Sequence, residues 1–441
     1  MRHSKGQRRS CRKIAQRRAA VHEGTLICSL DLAKKEHAYC CMDADRKVLE
    51  EGKVAHSSEA LEALVVHLDG LRLKHGLKEA VFFMEGAGPY WMVVASTLER
   101  HGQTYRLVNN RSVRHERQLE SLTHEKSDRR DAQHIGRLGC SFHFTSTQLP
   151  CGEPWISLRA AACEYQAIVD LKIKEKTRIR GLLQMAMPGY SDVFGKIESA
   201  SFLAVLSALS WAEKEASFIA EARRHFAGKA FQVARAEEFR RRWVDPTSYG
   251  YANGRDSIAF RPSLSAQRYQ LLSRQQGLVA ECLCRYYGQV PYSGFIDSIP
   301  GSSTLQNAVT LGLAGDLRLY DESRCLTKLA GLNPCEYSSG FYQGSTRISK
   351  AGRNRLRRAA ISSVMTILKS RLDHDFSRRF FYLRSRQENP LSSLQALVAC
   401  ANKYLRTVWW LAVHEAKYDP VISKRGLMWA KTHKETNLAR A

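Results

Sequence analysis

Between Thr25 and Val108 short apolar runs alternate with amphipathic segments. Leu26-Ile27-Cys28-Ser29-Leu30 and Ala80-Val81-Phe82-Phe83-Met84 are largely apolar runs of strand length that read as buried strands. Thr25–Leu30 and the turn-rich Ala33-Lys34-Lys35 lead into His37–Met42 and Lys47–Val54, which together predict an antiparallel meander. Leu61, Leu64, Val65, Leu68 and Leu71 then recur at helical spacing behind a capping serine, Ser57 or Ser58. Pro89–Arg100, with Trp91, Val94 and Leu98 on one face, predicts a second helix, and Thr104–Val108 a further strand.

Three strands, helix, strand, helix, strand is the order of an α/β, ribonuclease H-like domain, a mixed sheet flanked by helices, placed at 23–150. From Trp155 to Tyr287 the pattern changes to long helices. Leu158, Ala162, Tyr165, Ile168 and Leu171 form one stripe, Pro188-Gly189 interrupts it, and Asp245–Arg261 reads as a loop. This helical linker, 151–290, carries no evident chemistry and suits a spacer, a dimerisation arm or a nucleic-acid cradle. A mainly α-helical unit, 291–415, opens with Ile299-Pro300-Gly301-Ser302 as a hairpin between helices, a device that grips a DNA backbone through exposed amides. The pattern from Leu391 to Val413, with Trp409 and Trp410, closes its core. The flanks, 1–22 and 416–441, read as a disordered basic arm and a basic tail.

Composition narrows the partner. The 441 residues suffice for two or three domains with a large core. A formal charge of +25 points to a polyanion, with nucleic acid ahead of an anionic membrane surface. No apolar stretch approaches the roughly 18 residues of a transmembrane helix. No apolar segment follows the basic start (Arg2, Lys5, Arg8, Arg9), so a signal peptide is not expected. The 12 cysteines are scattered or paired as Cys40-Cys41 and Cys282-x-Cys284, without zinc-ligand spacing; several fall in apolar runs and read as small core residues, and a reducing cytoplasm is the simplest compartment.

Four carboxylates carry the chemistry. Asp31 ends the first buried strand and Glu85 the second. Asp128 and Asp131 open the helical pattern Lys126-Ser127-Asp128-Arg129-Arg130-Asp131-Ala132, where three-residue spacing sets both on one face. Acids at strand ends converging with a helix suit hard divalent cations such as magnesium. Four acids supply the charge for two ions, which about 4 Å apart would clamp the attacking and leaving oxygens of a phosphodiester. Far downstream, Ser339-Gly340 precedes a basic run, Arg347, Lys350, Arg353, Arg355, Arg357 and Arg358. A serine hydroxyl attacks only when a base, a metal or a stabilised leaving group helps it, and arginine forks bind phosphate oxygens. The alternatives are a turn serine and a generic DNA-facing helix. His134-x-x-Arg137 with Tyr165 mimics part of a tyrosine-recombinase signature, but it overlaps the helix of Asp128 and Asp131. His134 there reads as a partner of the acids or an ordinary helix residue.

These motifs resemble a known family. Leu30-Asp31-Leu32-Ala33-Lys34-Lys35, Met84-Glu85-Gly86-Ala87-Gly88-Pro89-Tyr90 and Lys126 to Ala132 resemble the acidic motifs of the DEDD transposases, an insertion-sequence family with a RuvC-like N-terminal domain. Ile299-Pro300-Gly301, Ala330-Gly331-Leu332-Asn333-Pro334, Ser339-Gly340 and Arg347-Ile348-Ser349-Lys350-Ala351-Gly352 resemble its serine-bearing domain. The resemblance implies a recombinase of a mobile element, guided by a structured RNA that pairs with donor and target DNA. It implies magnesium on Asp31, Glu85, Asp128 and Asp131, and Ser339 as a nucleophile linked transiently to one DNA strand. Ser338 precedes it, and Ser339 is chosen because the family's serine adjoins the glycine. It also implies a homo-oligomer, dimer or tetramer, with composite sites, in a bacterial-type cytoplasm at the nucleoid. The rival expectation is a RuvC-type endonuclease in which metal-activated water attacks.

Overall fold

The computed structural model describes residues 17, 19–86, 88, 90–120, 127–144, 152–208, 215–227, 229–244, 255–335, 338–339, 342–343 and 347–420. The basic arm up to residue 16, the tail from 421 and Gly340 lie outside them. The chain divides into two compact units, Met1–Ile156 and Ser157–Ala441.

In the first unit β1 (Thr25–Asp31), β2 (Glu36–Met42), β3 (Val48–Ala55), β4 (Glu79–Glu85) and β5 (Thr104–Val108) form one sheet ordered β3-β2-β1-β4-β5. β1 is antiparallel to β2 and parallel to β4, and β4 is parallel to β5. The mixed sheet and its element order are those of the ribonuclease H-like expectation. α1 (Ser58–Lys74), capped by Ser57, and α2 (Tyr90–Arg100) cross over between the parallel strands. They bury Leu61, Leu64, Leu68, Trp91, Val94 and Leu98 against Leu26, Cys28, Leu30, Phe82 and Met84. α4 (Asp128–Cys140) covers the other face, setting Ala132, Ile135 and Leu138 against Ile27, Cys40, Met42, Val81 and Phe83. Strand residues alternate between faces, so two covered faces explain why the interiors of β1 and β4 are apolar on both sides but for Ser29. α3 (Asn110–Glu120) lies outside the sequence expectation. Val113 is its buried residue among those described, and its other apolar residue, Leu119, is exposed, so the helix gives no period to read.

The second unit is helical. α5 (Trp155–Ala186) buries Leu158, Ala162, Tyr165 and Ile168 as the stripe requires, but Leu171 is exposed. It ends before Pro188-Gly189, and α6 (Tyr190–Val193), α7 (Ala200–Ala208), α8 (Glu215–His225) and α9 (Ala230–Val244) follow. Phe194, Phe202, Phe239 and Trp243 form an aromatic core there, with Phe194 and Phe202 stacked at 4.8 Å. The expected loop at Asp245–Arg261 is overturned where it is described, because α10 (Arg255–Gly288) begins at Arg255. The helix runs on through Pro262, which costs it one amide donor and crowds the carbonyl four residues earlier.

Next come α11 (Ser293–Asp297), α12 (Thr304–Ala314) and α13 (Ser323–Leu329). The Ile299-Pro300-Gly301 hairpin joins the first two, as the sequence predicts. Gly301 has φ +72°, and a Cβ there would come within 3.3 Å of the Ile367 carbonyl oxygen, so side chains are disfavoured twice over. Two short ladders follow. β6 (Pro334–Cys335) pairs with β9 (Arg347–Ile348), and β7 (Ser338–Ser339) pairs with β8 (Tyr342–Gln343). α14 (Asn354–Lys369), α15 (Asp375–Ser385) and α16 (Ser393–His414) complete the unit, and α16 buries both Trp409 and Trp410. No helix among the described residues is long and apolar enough to cross a membrane. The cysteines described are free thiols.

Candidate active site

Asp31 and Glu85 are neighbours by register. Leu30 pairs with Met84 across the parallel ladder, so the next residue of each strand is an acid at the same sheet end. Both are half-buried. Alternation puts them on the face of Ile27, Val81 and Phe83, the face that α4 covers. α4 brings Asp131, which is 4 % exposed, to that same face. Asp128, three residues earlier, is exposed, so the two helix acids share a helix end but not an environment.

Small residues permit this approach. A Cβ at Gly136 would lie 3.0 Å from the Ser29 hydroxyl, and one at Gly139 would lie 3.0 Å from the Phe83 ring. Gly136→Leu should therefore lower stability by about 1–3 kcal/mol and push the acid-bearing helix off the sheet. Thermal unfolding, together with amide exchange of α4, checks this. Arg129, between the two acids, is tied by its Nε to Glu51 of β3 at 2.6 Å, and Gln133 bonds the same carboxylate. Those bonds fix the helix's rotation over the sheet.

Asp131 has a cationic neighbour from α3, a helix that sequence reasoning did not find. Arg117 Nη2 lies 2.6 Å from Asp131 Oδ1. The contact is electrostatic, since that buried oxygen receives no hydrogen bond of acceptable angle. Among the described residues no group of three His, Cys, Asp or Glu side chains stands within the range of one ion. The structure thus brings Asp31, Glu85 and Asp131 to one face, with Asp128 exposed one turn earlier on the same helix. The donor set, carboxylate oxygens with one buried oxygen held only by an arginine, fits a hard cation in chemistry.

A histidine pair supports the same sheet end. Asp31 stands opposite Ala38, so the start of β2 flanks it. Fully buried His37 accepts at Nδ1 from the Ala33 amide, 3.1 Å away, and its Nε2 lies 2.8 Å from Nδ1 of His56. The amide bond assigns the proton of His37 to Nε2, which then donates to His56. His56 in turn meets the Tyr90 ring edge-on at 5.3 Å. Nothing in the sequence marks this pair, because a histidine inside a strand pattern reads as a packed residue. Burial, aided by His56, pulls the His37 pKa down to about 4. The folded state therefore binds fewer protons than the unfolded chain, and the stabilisation is complete above about 6.5 and lost as pH falls toward about 4. The loss should reach about 3 kcal/mol, read as a falling urea midpoint between pH 7 and 4.5. A His37→Asn variant should flatten that window.

In the second unit Ser339 pairs with Tyr342 at the end of the β7–β8 hairpin. Its side chain, like Ser338's and the neighbouring Gly340, lies outside the described residues. The basic run does not form a single face. Arg347 is exposed on β9, and Lys350 is exposed with φ +52°. Arg353 donates to the Leu313 carbonyl at 2.8 Å, and Arg357 to the Ala330 carbonyl at 2.9 Å. Arg355 reaches the Cys163 carbonyl at 3.4 Å, and Arg358 pairs with Asp170 at 2.5 Å. His134 is buried on α4, and Tyr165 is a core residue of α5 in the other unit.

Two family models match, in the order in which the motifs occur. A transposase model of the DEDD, IS110 type covers residues 28–188, and that of the IS116/IS110/IS902 transposase family covers residues 294–379. No curated protein matches the chain. The first match contains Asp31, Glu85, Asp128 and Asp131, the second contains Ser339 and the basic run, and together they span more than half of the sequence. The chain is a DNA transposase of the IS110 family, an enzyme of mobile-element recombination.

Proposed function

We propose that this transposase is an RNA-guided recombinase in which Asp31, Glu85, Asp128 and Asp131 hold magnesium, two ions per site, and Ser339 attacks DNA. The observation that carries the reading is the shared sheet face of Asp31, Glu85 and Asp131 in a chain whose later family match holds Ser339. When bound, magnesium would neutralise charge on the scissile phosphate and on the departing oxygen. Ser339 Oγ would bond to phosphorus as it loses its proton. The bond from phosphorus to the departing strand's oxygen would break, and that oxygen would leave as a hydroxyl. Rejoining is the reverse, with the hydroxyl of the incoming strand displacing serine, so no further reactant is consumed. Arg347, Lys350, Arg353, Arg355, Arg357 and Arg358 would face the phosphates of donor DNA, target DNA or guide RNA. Because the acids and the serine belong to different units of the chain, a dimer or tetramer could pair the acids of one protomer with the serine of another.

A RuvC-type nuclease is the second reading, favoured by the acids lying in a unit that holds its whole ribonuclease H-like sheet. Denaturing gels of labelled DNA incubated with protein, magnesium and RNA transcribed from the gene's flank separate the two. A strand that protease treatment shifts supports the serine reading, and free ends alone support the nuclease. Product that is independent of the RNA would remove the guide from the proposal.

A further inference from the structure

Three arginines of the basic run converge on one place. Arg353, Arg355 and Arg358 line a cleft of about 460 Å³ with Arg159 of α5, Cys163, Asp170, Leu313 and the first residues of α14. Its lining carries four guanidinium groups and one carboxylate, and that carboxylate, Asp170, is paired with Arg358. The α14 N-terminus opens here, with Arg353 at its cap, no side-chain cap bond and no acid in its first turn. Its first amides add to the positive field. Burial, and then Arg159, lower the pKa of the Arg353 guanidinium, so cations crowd in a partly desolvated place. Four guanidinium groups around one carboxylate favour an anion in the cleft, although Arg353 and Arg355 also donate to the Leu313 and Cys163 carbonyls.

The geometry points to this cleft as a seat for a nucleic-acid backbone phosphate, held between Arg159 of α5 and the arginines at the start of α14. The cleft is of the size that takes a nucleotide-scale ligand, and planar guanidinium forks suit phosphate oxygens. Asp170 then acts as an internal stand-in, occupying Arg358 until a phosphate takes its place. The inference rests on the proposed nucleic-acid role of the basic run. It adds Arg159, some two hundred residues upstream, which the sequence does not single out.

The test is anisotropy binding by the full chain, without magnesium, across a salt series. The probes are a duplex DNA, a single-stranded RNA of equal length, and inorganic phosphate as competitor. Arg159→Gln and the exposed Arg355→Gln should each weaken binding about tenfold and lower the salt slope by about one. Asp170→Asn should tighten binding by freeing Arg358. A loss confined to the DNA or to the RNA probe identifies the strand that uses the cleft. Unchanged affinity and slope for both probes in both arginine variants, each with an unaltered thermal melt, overturns the assignment. Competition by inorganic phosphate with no effect of the variants on either polynucleotide also overturns it, since the cleft would then hold free anion only. Strand transfer is not read in this assay, so failure here leaves the Ser339 chemistry standing, and failure of that chemistry leaves the cleft standing.

Discussion

Ser339→Ala is expected to abolish protein-linked DNA and strand transfer, with a fall of roughly 10⁵–10⁶-fold, while binding to DNA and RNA persists. Removing an attacking hydroxyl deletes the step through which all product passes, and losses of this order follow when a nucleophile is removed. The change should cost little stability, because Ser339 sits at the end of a two-residue strand pair. Ser338→Ala is the necessary companion. If Ser338→Ala abolishes the linkage and Ser339→Ala does not, the nucleophile has been placed one residue too late. If neither does, and cleaved ends still form, the hydrolytic reading gains the ground. The measurement is a denaturing gel with and without protease, alongside a binding curve for each variant.

Asp31→Asn and Glu85→Gln are expected to reduce magnesium-dependent cleavage on the order of 10³-fold each, since a metal supplies several kcal/mol of charge stabilisation. Both swaps keep the shape of the side chain and lie at strand ends, so the thermal midpoint in metal-free buffer should move little. The midpoint increase on adding magnesium or manganese should shrink in both variants. That readout does not depend on turnover, and an undiminished increase would remove these acids from the metal site. Asp131 behaves differently. Its Oδ1 lies 2.6 Å from Arg117, so Asp131→Ala strands a guanidinium and lowers stability as well as activity. If Asp131 gives both of its oxygens to a cation, Arg117 would first have to release it. Arg117→Gln should then raise the apparent affinity for manganese, measured by titration calorimetry.

The long periodic elements were legible in the chain. The apolar runs at Leu26–Leu30 and Ala80–Met84 read as buried strands, and the structure adds that β1 and β4 are covered by α1 and α2 on one face and by α4 on the other. Acids at the ends of those runs mark Asp31 and Glu85, because a charge that ends a buried strand must meet solvent or a cation. Short-range pattern failed where a single residue carried the packing. α3 has Val113 as its buried position among those described, and α10 runs through Pro262, so neither gives a periodic signal. What the tertiary structure decided is pairing across distance. It put Leu30 beside Met84, set Arg117 against Asp131, joined His37 to His56 behind the Asp31 strand end, and brought Arg159 to the arginines of α14. The sequence by itself offered the four acids, Ser339 and the basic run as candidates, because residue type and local period are local properties. Which of them share a face, an ion pair or a cleft depended on register and helix packing, and those follow from contacts between segments far apart in the chain.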